Sequence, residues 1–331
     1  MTVVLLAAGF AAVLGGALLF TNAVEWAGTR LGLGVGAVGT VLAAVSTALP
    51  ESVIPVVAIL RGDPDADEVA VGAIVGAPFM LATVAMALMG IAALGFSRRR
   101  PQGVTLRLHR GIVRRDLVLF VVLFAAVLLL GLGAPEAVRY AAAPLLLLAY
   151  GGYVARTVRH GGTTQPDDEL PDLIADPTKE DPPASVAIAL QFAVGLALII
   201  GGAHFIVDEL IAIAESLDVS PLVLSLLVAP LATELPEKAN SILWIREGKD
   251  SLAVGNVSGA MVFQSTVPVA IGVAFTSWEL DRFALLAGAL ALAGAATAYW
   301  SLEVRARFSL GAVAVWAVLF ATFIAAVLAS G

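Results

Sequence analysis

The chain has 331 residues, 60% of them hydrophobic and 14% charged, with a mean hydropathy of +0.95. That composition excludes a water-soluble domain of this length and implies an all-α integral membrane protein. A formal net charge of −7 argues against nucleic acid as a partner, and the absence of cysteine excludes a disulfide framework and a thiolate metal or redox site.

A hydrocarbon layer ~30 Å thick takes ~20 apolar residues per helix. Such runs lie near 2–22, 33–60, 68–96, 116–133, 138–156, 186–214, 221–245, 251–276, 282–300 and 309–330. The first lacks a basic leader, and its Gly15-Gly16-Ala17 recurs 186 positions later as Gly201-Gly202-Ala203, so it reads as a structural helix and not a signal peptide. The second carries a polar interruption, Ser46-Thr47-Ala48-Leu49-Pro50-Glu51. The third contains Ala70-Val71-Gly72-Ala73-Ile74-Val75-Gly76-Ala77, with glycines spaced for close helix packing.

The 97–115 connection has seven arginines and His109 and reads as a solvated cytoplasmic face. After the fifth run comes an acidic, proline-containing stretch over 157–185, too polar for a packed core and expected to be a solvated tether. The sixth run holds His204, Asp208 and Glu209, the two acids facing the outer vestibule. The seventh repeats the interruption as Ala232-Thr233-Glu234-Leu235-Pro236-Glu237, at the same offset of 186, and adds Lys238. The eighth repeats the glycine pattern as Ala253-Val254-Gly255-Asn256-Val257-Ser258-Gly259-Ala260.

The chain is thus a duplication: a first five-helix repeat over 1–156, the acidic cytoplasmic linker over 157–185, and a second five-helix repeat over 186–331. Assigning connections to alternate sides puts fifteen basic residues on one side and only Arg61, Arg139 and Arg282 on the other. By the positive-inside rule both termini lie outside. Repeats with an odd number of spans insert in opposite orientations, the inverted-repeat plan of secondary transporters.

Pro50 and Pro236 lack a backbone N–H, so the carbonyls of Ser46 and Ala232 lose their helical partners. In hydrocarbon such groups persist where they face a cavity, a cation or protein. Glu51, Glu234, Glu237 and Lys238 would together cost on the order of 10 kcal/mol if ionised and uncompensated. They therefore compensate one another or a bound cation. Carboxylates, the hydroxyls of Thr47 and Thr233 and freed carbonyls form an oxygen-only set suited to a hard cation such as Ca²⁺ or Na⁺. Glu234 precedes Lys238 by four residues, the favourable order for a helical ion pair.

Thr-x-Leu-Pro-Glu in the second helix of each half, followed by Gly-x-x-x-Gly in the third, resembles the α-repeats of the sodium/calcium exchanger family, over nearly the whole chain. The resemblance implies ten transmembrane helices as two inverted five-helix repeats and a mid-membrane site with Glu51 and Glu237 as principal ligands. Thr47, Thr233, Ser46, Ala232, Glu234 and Gln264 complete the candidate metal-ligating set. Alternating access would come from sliding of the first and sixth helices. The chain departs from the family's motifs at Ala48 and Glu234, at Ala77-Pro78 and Ala260-Met261, and at Leu81 and Gln264.

The expected function is a secondary-active antiporter exchanging Ca²⁺, or another hard cation, for Na⁺ or H⁺. No cofactor is expected, and the partners are inorganic cations and the lipid bilayer of a prokaryotic plasma membrane. A monovalent cation/proton exchanger is the alternative. A non-transporting membrane protein and an intramembrane enzyme are further classes, although the enzyme would need a nucleophile–base pair or a histidine-rich metal site, and one histidine falls within a span.

Overall fold

The computed structural model describes residues 2–30, 43–100, 102–160, 172–174 and 183–330. The helices are α1 (Thr2–Arg30), α2 (Ala43–Arg61), α3 (Pro64–Met80), α4 (Met86–Gly95), α5 (Arg110–Leu130), α6 (Glu136–His160), α7 (Ser185–Leu217), α8 (Pro221–Glu247), α9 (Asp250–Gln264), α10 (Val267–Phe275), α11 (Arg282–Tyr299) and α12 (Leu310–Leu328). Among the described residues, seven helical stretches are long and apolar enough to cross a membrane. Residues 33–42, expected to begin the second span, lie outside the described part.

Helix starts follow local chemistry. Asp63-Pro64 and Ser220-Pro221 pair a capping side chain with a proline that needs no N–H partner in the first turn. The Asp63 Oδ1 accepts from the Ala66 N–H at 2.9 Å and the Ser220 hydroxyl from the Leu222 N–H at 3.2 Å.

Two expected spans are not continuous α-helix. A π-helical segment, Leu81–Ala85, joins α3 to α4, and the chain breaks between α9 and α10 at Ser265 and Thr266. The glycine patterns of the two spans are offset by 183, and the same offset matches Thr83 to Thr266. Each threonine hydroxyl donates to the carbonyl four residues earlier, at 2.6 Å to Phe79 and 2.7 Å to Val262. The back-bond accompanies the irregularity in both halves, although Thr233 makes the same bond within the continuous α8.

The stretch Pro64–Gly95 is 94% buried over its most apolar window, whereas Leu310–Leu328 is 17% buried, so α3 and α4 form the centre and α12 the periphery. Close backbone approach holds α3 against α8: a Cβ on Gly72 would stand 2.3 Å from the Leu222 carbonyl oxygen, and one on Gly76 2.2 Å from that of Leu226. No side chain fits there.

Helices α1 and α7 also pack through glycine. A Cβ on Gly16 would lie 2.7 Å from the Gly195 oxygen, and one on Gly202 2.7 Å from the Gly9 oxygen. As position rises along α1 its partner falls along α7, so the helices are antiparallel. Gly195 and Gly202 are the counterparts of Gly9 and Gly16 at the offset of 186, so each glycine meets the counterpart of the other, the pattern of a local two-fold.

Contacts between connections sort into two ends of the bundle. At one, Arg100 pairs with Asp250, Thr105 bridges to Arg307 and Arg30 reaches the Pro183 carbonyl. At the other, Arg61 pairs with Asp208, the Ser220 hydroxyl donates to Glu68 at 2.7 Å, and Arg139 donates to the Thr276 carbonyl at 2.9 Å.

Two polar connections depart from the expected solvated state. The Arg100–Asp250 pair, at 2.5 Å, has both side chains fully buried, and Gln102 and the Arg107 N–H also donate to Asp250, at 3.0 and 2.9 Å. A charge pattern cannot reveal a carboxylate 150 positions away. Within the acidic linker, Leu173 is buried against Ala23, Trp26 and Ile188, while Asn22 accepts from the Ile174 N–H at 3.0 Å and from Gln191 at 2.8 Å. The linker's described part is docked where a free tether was expected.

Candidate functional site

Pro50 and Pro236 fall within α2 and α8, and both helices continue through them. The glutamate after the first proline, Glu51, reaches towards the second half of the chain: the Gln264 amide donates from Nε2 to Glu51 Oε2 at 2.5 Å. Gln264 is the last residue of α9, so the break that follows positions an amide at the carboxylate. It is 1% exposed, and Ser265 and Thr266 beside it are fully buried.

Beside Glu51 is a gap of about 10 Å³ lined by Glu51, Ile54, Ala73, Ala77, Ala229, Pro230 and Thr233. That is close to the room one water molecule needs. Helices α2, α3 and α8 contribute its walls, and the glycine contact of α3 with α8 brings Ala73 and Ala77 to it. The Thr233 hydroxyl donates to the Ala229 carbonyl at 3.0 Å, which leaves its own oxygen as an acceptor.

Glu234 lines a different gap, with Lys238, Met80, Val84, Ala85, Leu88, Pro230 and Leu231. Its carboxylate lies 3.8 Å from the Lys238 ammonium. Thus, of the expected ligands, Glu51, Thr233 and Gln264 come together and Glu234 stands apart. Ser46 and Thr47 lie on α2 and Ala232 and Glu237 on α8, with side chains outside the described part of the structure. Asp208, expected to cap or face the outer vestibule, is exposed and paired with Arg61.

Among the described residues, the polar groups at Glu51 are its own carboxylate, the Gln264 amide and the Thr233 hydroxyl. Such a set favours a hard cation over zinc or copper. Among the described residues no three histidine or acidic side chains converge.

A second polar group was not anticipated. Asp116 on α5 is buried, accepting from the Ser258 hydroxyl of α9 at 2.9 Å and from Arg115 Nη2 at 3.0 Å, and the Arg115 guanidinium lies 4.7 Å from the centre of the Tyr153 ring. One signal was present in the sequence: an aspartate following Arg114-Arg115 directly at the head of an apolar run. The polar triplet Gln264-Ser265-Thr266, two residues before Pro268, likewise marked the break in α9.

Comparison with known proteins gives a consistent result. The family model described as sodium/calcium exchanger protein matches residues 1–159 and 187–329. The inner membrane protein YrbG of Escherichia coli strain K12 is 27% identical over 254 residues, 75% of this chain and 71% of that protein. Among solved structures, the crystal structure of the H⁺/Ca²⁺ exchanger CAX has a TM-score of 0.72 at 16% identity, covering 99% of this chain and 82% of the other. The sodium–calcium exchanger NCX_Mj has a TM-score of 0.57 at 17% identity, covering 98% of both chains.

Proposed function

The chain belongs to the sodium/calcium exchanger family, and from that premise we propose that it exchanges Ca²⁺, or another hard cation, for Na⁺ or H⁺ by alternating access at Glu51. It is an integral membrane transporter and not an enzyme. The observation that carries the proposal is the meeting of Glu51 with Gln264 and Thr233, residues from both halves of the chain, beside a gap of about 10 Å³. A carboxylate held by an amide donor accepts a dehydrated cation once the amide turns its oxygen inward.

In this reading ten spans form two inverted repeats, both termini lie outside, and Glu237, following the second proline, supplies the matching carboxylate. Ser46, Thr47 and Ala232 add oxygens from α2 and α8. The antiparallel glycine contact of α1 with α7 supports the inverted relation, since repeat counterparts meet there in reciprocal pairs.

The test is uptake of radioactive calcium into liposomes containing the protein, driven separately by Na⁺ and by pH gradients. Exchange that needs an ion on the opposite side identifies an antiporter, and uncoupled flux would identify a channel.

A further inference from the structure

The hairpin of α11 and α12, at the periphery of the bundle, carries an open groove that the transport reading does not use. Its volume is about 500 Å³, within the range of small-molecule sites and far above that of the gap beside Glu51. Ala296, Gly311, Ala312 and Val315 wall it along the two helices, and Trp300 and Arg305 stand where the helices are joined. Val315 lies six residues beyond the N-cap Ser309, about 9 Å along the helix axis. The groove therefore runs from the polar connection into the apolar span.

Both hydroxyls of its lining are engaged: Thr297 donates to the Ala293 carbonyl at 2.9 Å, and Ser309 accepts from the Ala312 N–H at 3.2 Å. The charge in the groove is Arg305. Its guanidinium stands 3.9 Å from the centre of the half-exposed Trp300 ring, and among the described residues it pairs with no carboxylate. The surroundings are basic as well. The Leu106 N–H donates to the Ala306 carbonyl at 2.8 Å, which brings the arginine-rich 97–115 connection alongside. That connection contains no acid, and the one acid of 300–309, Glu303, does not line the groove.

An apolar trough that ends in a guanidinium stacked on an indole suits a molecule with a hydrocarbon chain at one end and an anion at the other. We propose that the α11–α12 groove binds a phospholipid with an anionic headgroup, its acyl chain against Ala296 and Val315 and its phosphate on Arg305. A zwitterionic lipid offers the same chain and phosphate but adds an ammonium, which the neighbouring arginines repel. Net negative charge is therefore what the groove selects.

Trp300 reports on its own groove, and no outcome depends on transport. The full-length parent, W300F, R305Q and R307Q are placed in mixed bilayers of phosphatidylcholine and phosphatidylglycerol, with bromine on the acyl chains of one lipid or the other. The fluorescence lost between parent and W300F is the Trp300 signal. Brominated phosphatidylglycerol is expected to quench it at about a fivefold lower mole fraction than brominated phosphatidylcholine, the worth of one arginine facing an anionic headgroup. R305Q should abolish that preference, and R307Q, exposed at the same end but outside the groove, should keep it. Equal quenching by the two lipids in the parent overturns the proposal, as does a parental preference in R305Q. Loss in R307Q as large as in R305Q also overturns it, by showing diffuse surface charge. Protection of Trp300 from both lipids, with a dimeric mass, would give the groove to a second copy of the chain and overturn it too. Should W300F fail to fold, total quenching in R305Q against the parent decides by the same criteria.

Discussion

Glu51 of α2 and Gln264 of α9 meet, 213 residues apart in sequence and 2.5 Å apart between Oε2 and Nε2. The contact joins α2 to the last residue of α9. It gives the first prediction. Replacing Gln264 by leucine, the residue at the corresponding position 81 of the first half, removes both the donor and a ligand oxygen. Cation affinity should fall by about tenfold or more, corresponding to the roughly 1.5–3 kcal/mol of a hydrogen bond to a charged group. Concentration-dependent uptake by Q264L in liposomes measures it, and an unchanged affinity would remove Gln264 from the site.

The two glycine patterns look alike in sequence but differ in the structure. Gly76 packs on the Leu226 carbonyl, whereas a Cβ on Gly255 would meet nothing within 4 Å. Gly76→Ala should destabilise by about 1–3 kcal/mol, because the obstruction is backbone. Gly255→Ala should be neutral or stabilising by up to about 1 kcal/mol through helix propensity. Equilibrium unfolding in detergent distinguishes them, and equal effects would contradict the packing described.

Arg100 and Asp250 are fully buried together. Asp250→Ala leaves a guanidinium without its carboxylate, an effect of about 3–5 kcal/mol. The double variant R100M/D250A should recover part of that loss. If D250A alone has parental stability, the loop over 97–109 is not anchored through this pair.

The natural absence of cysteine permits a crosslinking test of motion. Phe20 of α1 and Phe192 of α7 have ring centres 4.6 Å apart, and Arg61 of α2 pairs with Asp208 of α7. If α1 and α7 slide as one unit, joining F20C to F192C with a short thiol crosslinker should spare transport. Joining R61C to D208C should stop it. Inhibition by the first link, or none by the second, would assign the motion elsewhere.

What the sequence disclosed follows from what duplication and lipid make conspicuous. A carboxylate beside a proline in an apolar run is conspicuous when it occurs twice at one offset, which is why Glu51 stood out as a candidate, and the amide of Gln264 came with the family resemblance. The separation of Glu234 from Glu51 was harder, because neighbouring positions on a helix diverge by about 100° and only the packing decides what each side meets. Leu173 was hidden by its acidic surroundings, since composition averages over a segment while docking needs one apolar side chain and an acceptor such as Asn22. The breaks at Leu81–Ala85 and Ser265–Thr266 interrupt runs whose apolar periodicity alone does not mark them.

The most direct measurement is calcium uptake by the parent, Glu51→Gln and Glu237→Gln in liposomes under imposed Na⁺ or pH gradients. The account predicts gradient-driven uptake by the parent and its loss in both folded variants, because an amide provides an oxygen without the charge that holds a divalent ion. Parental uptake by both variants would contradict it.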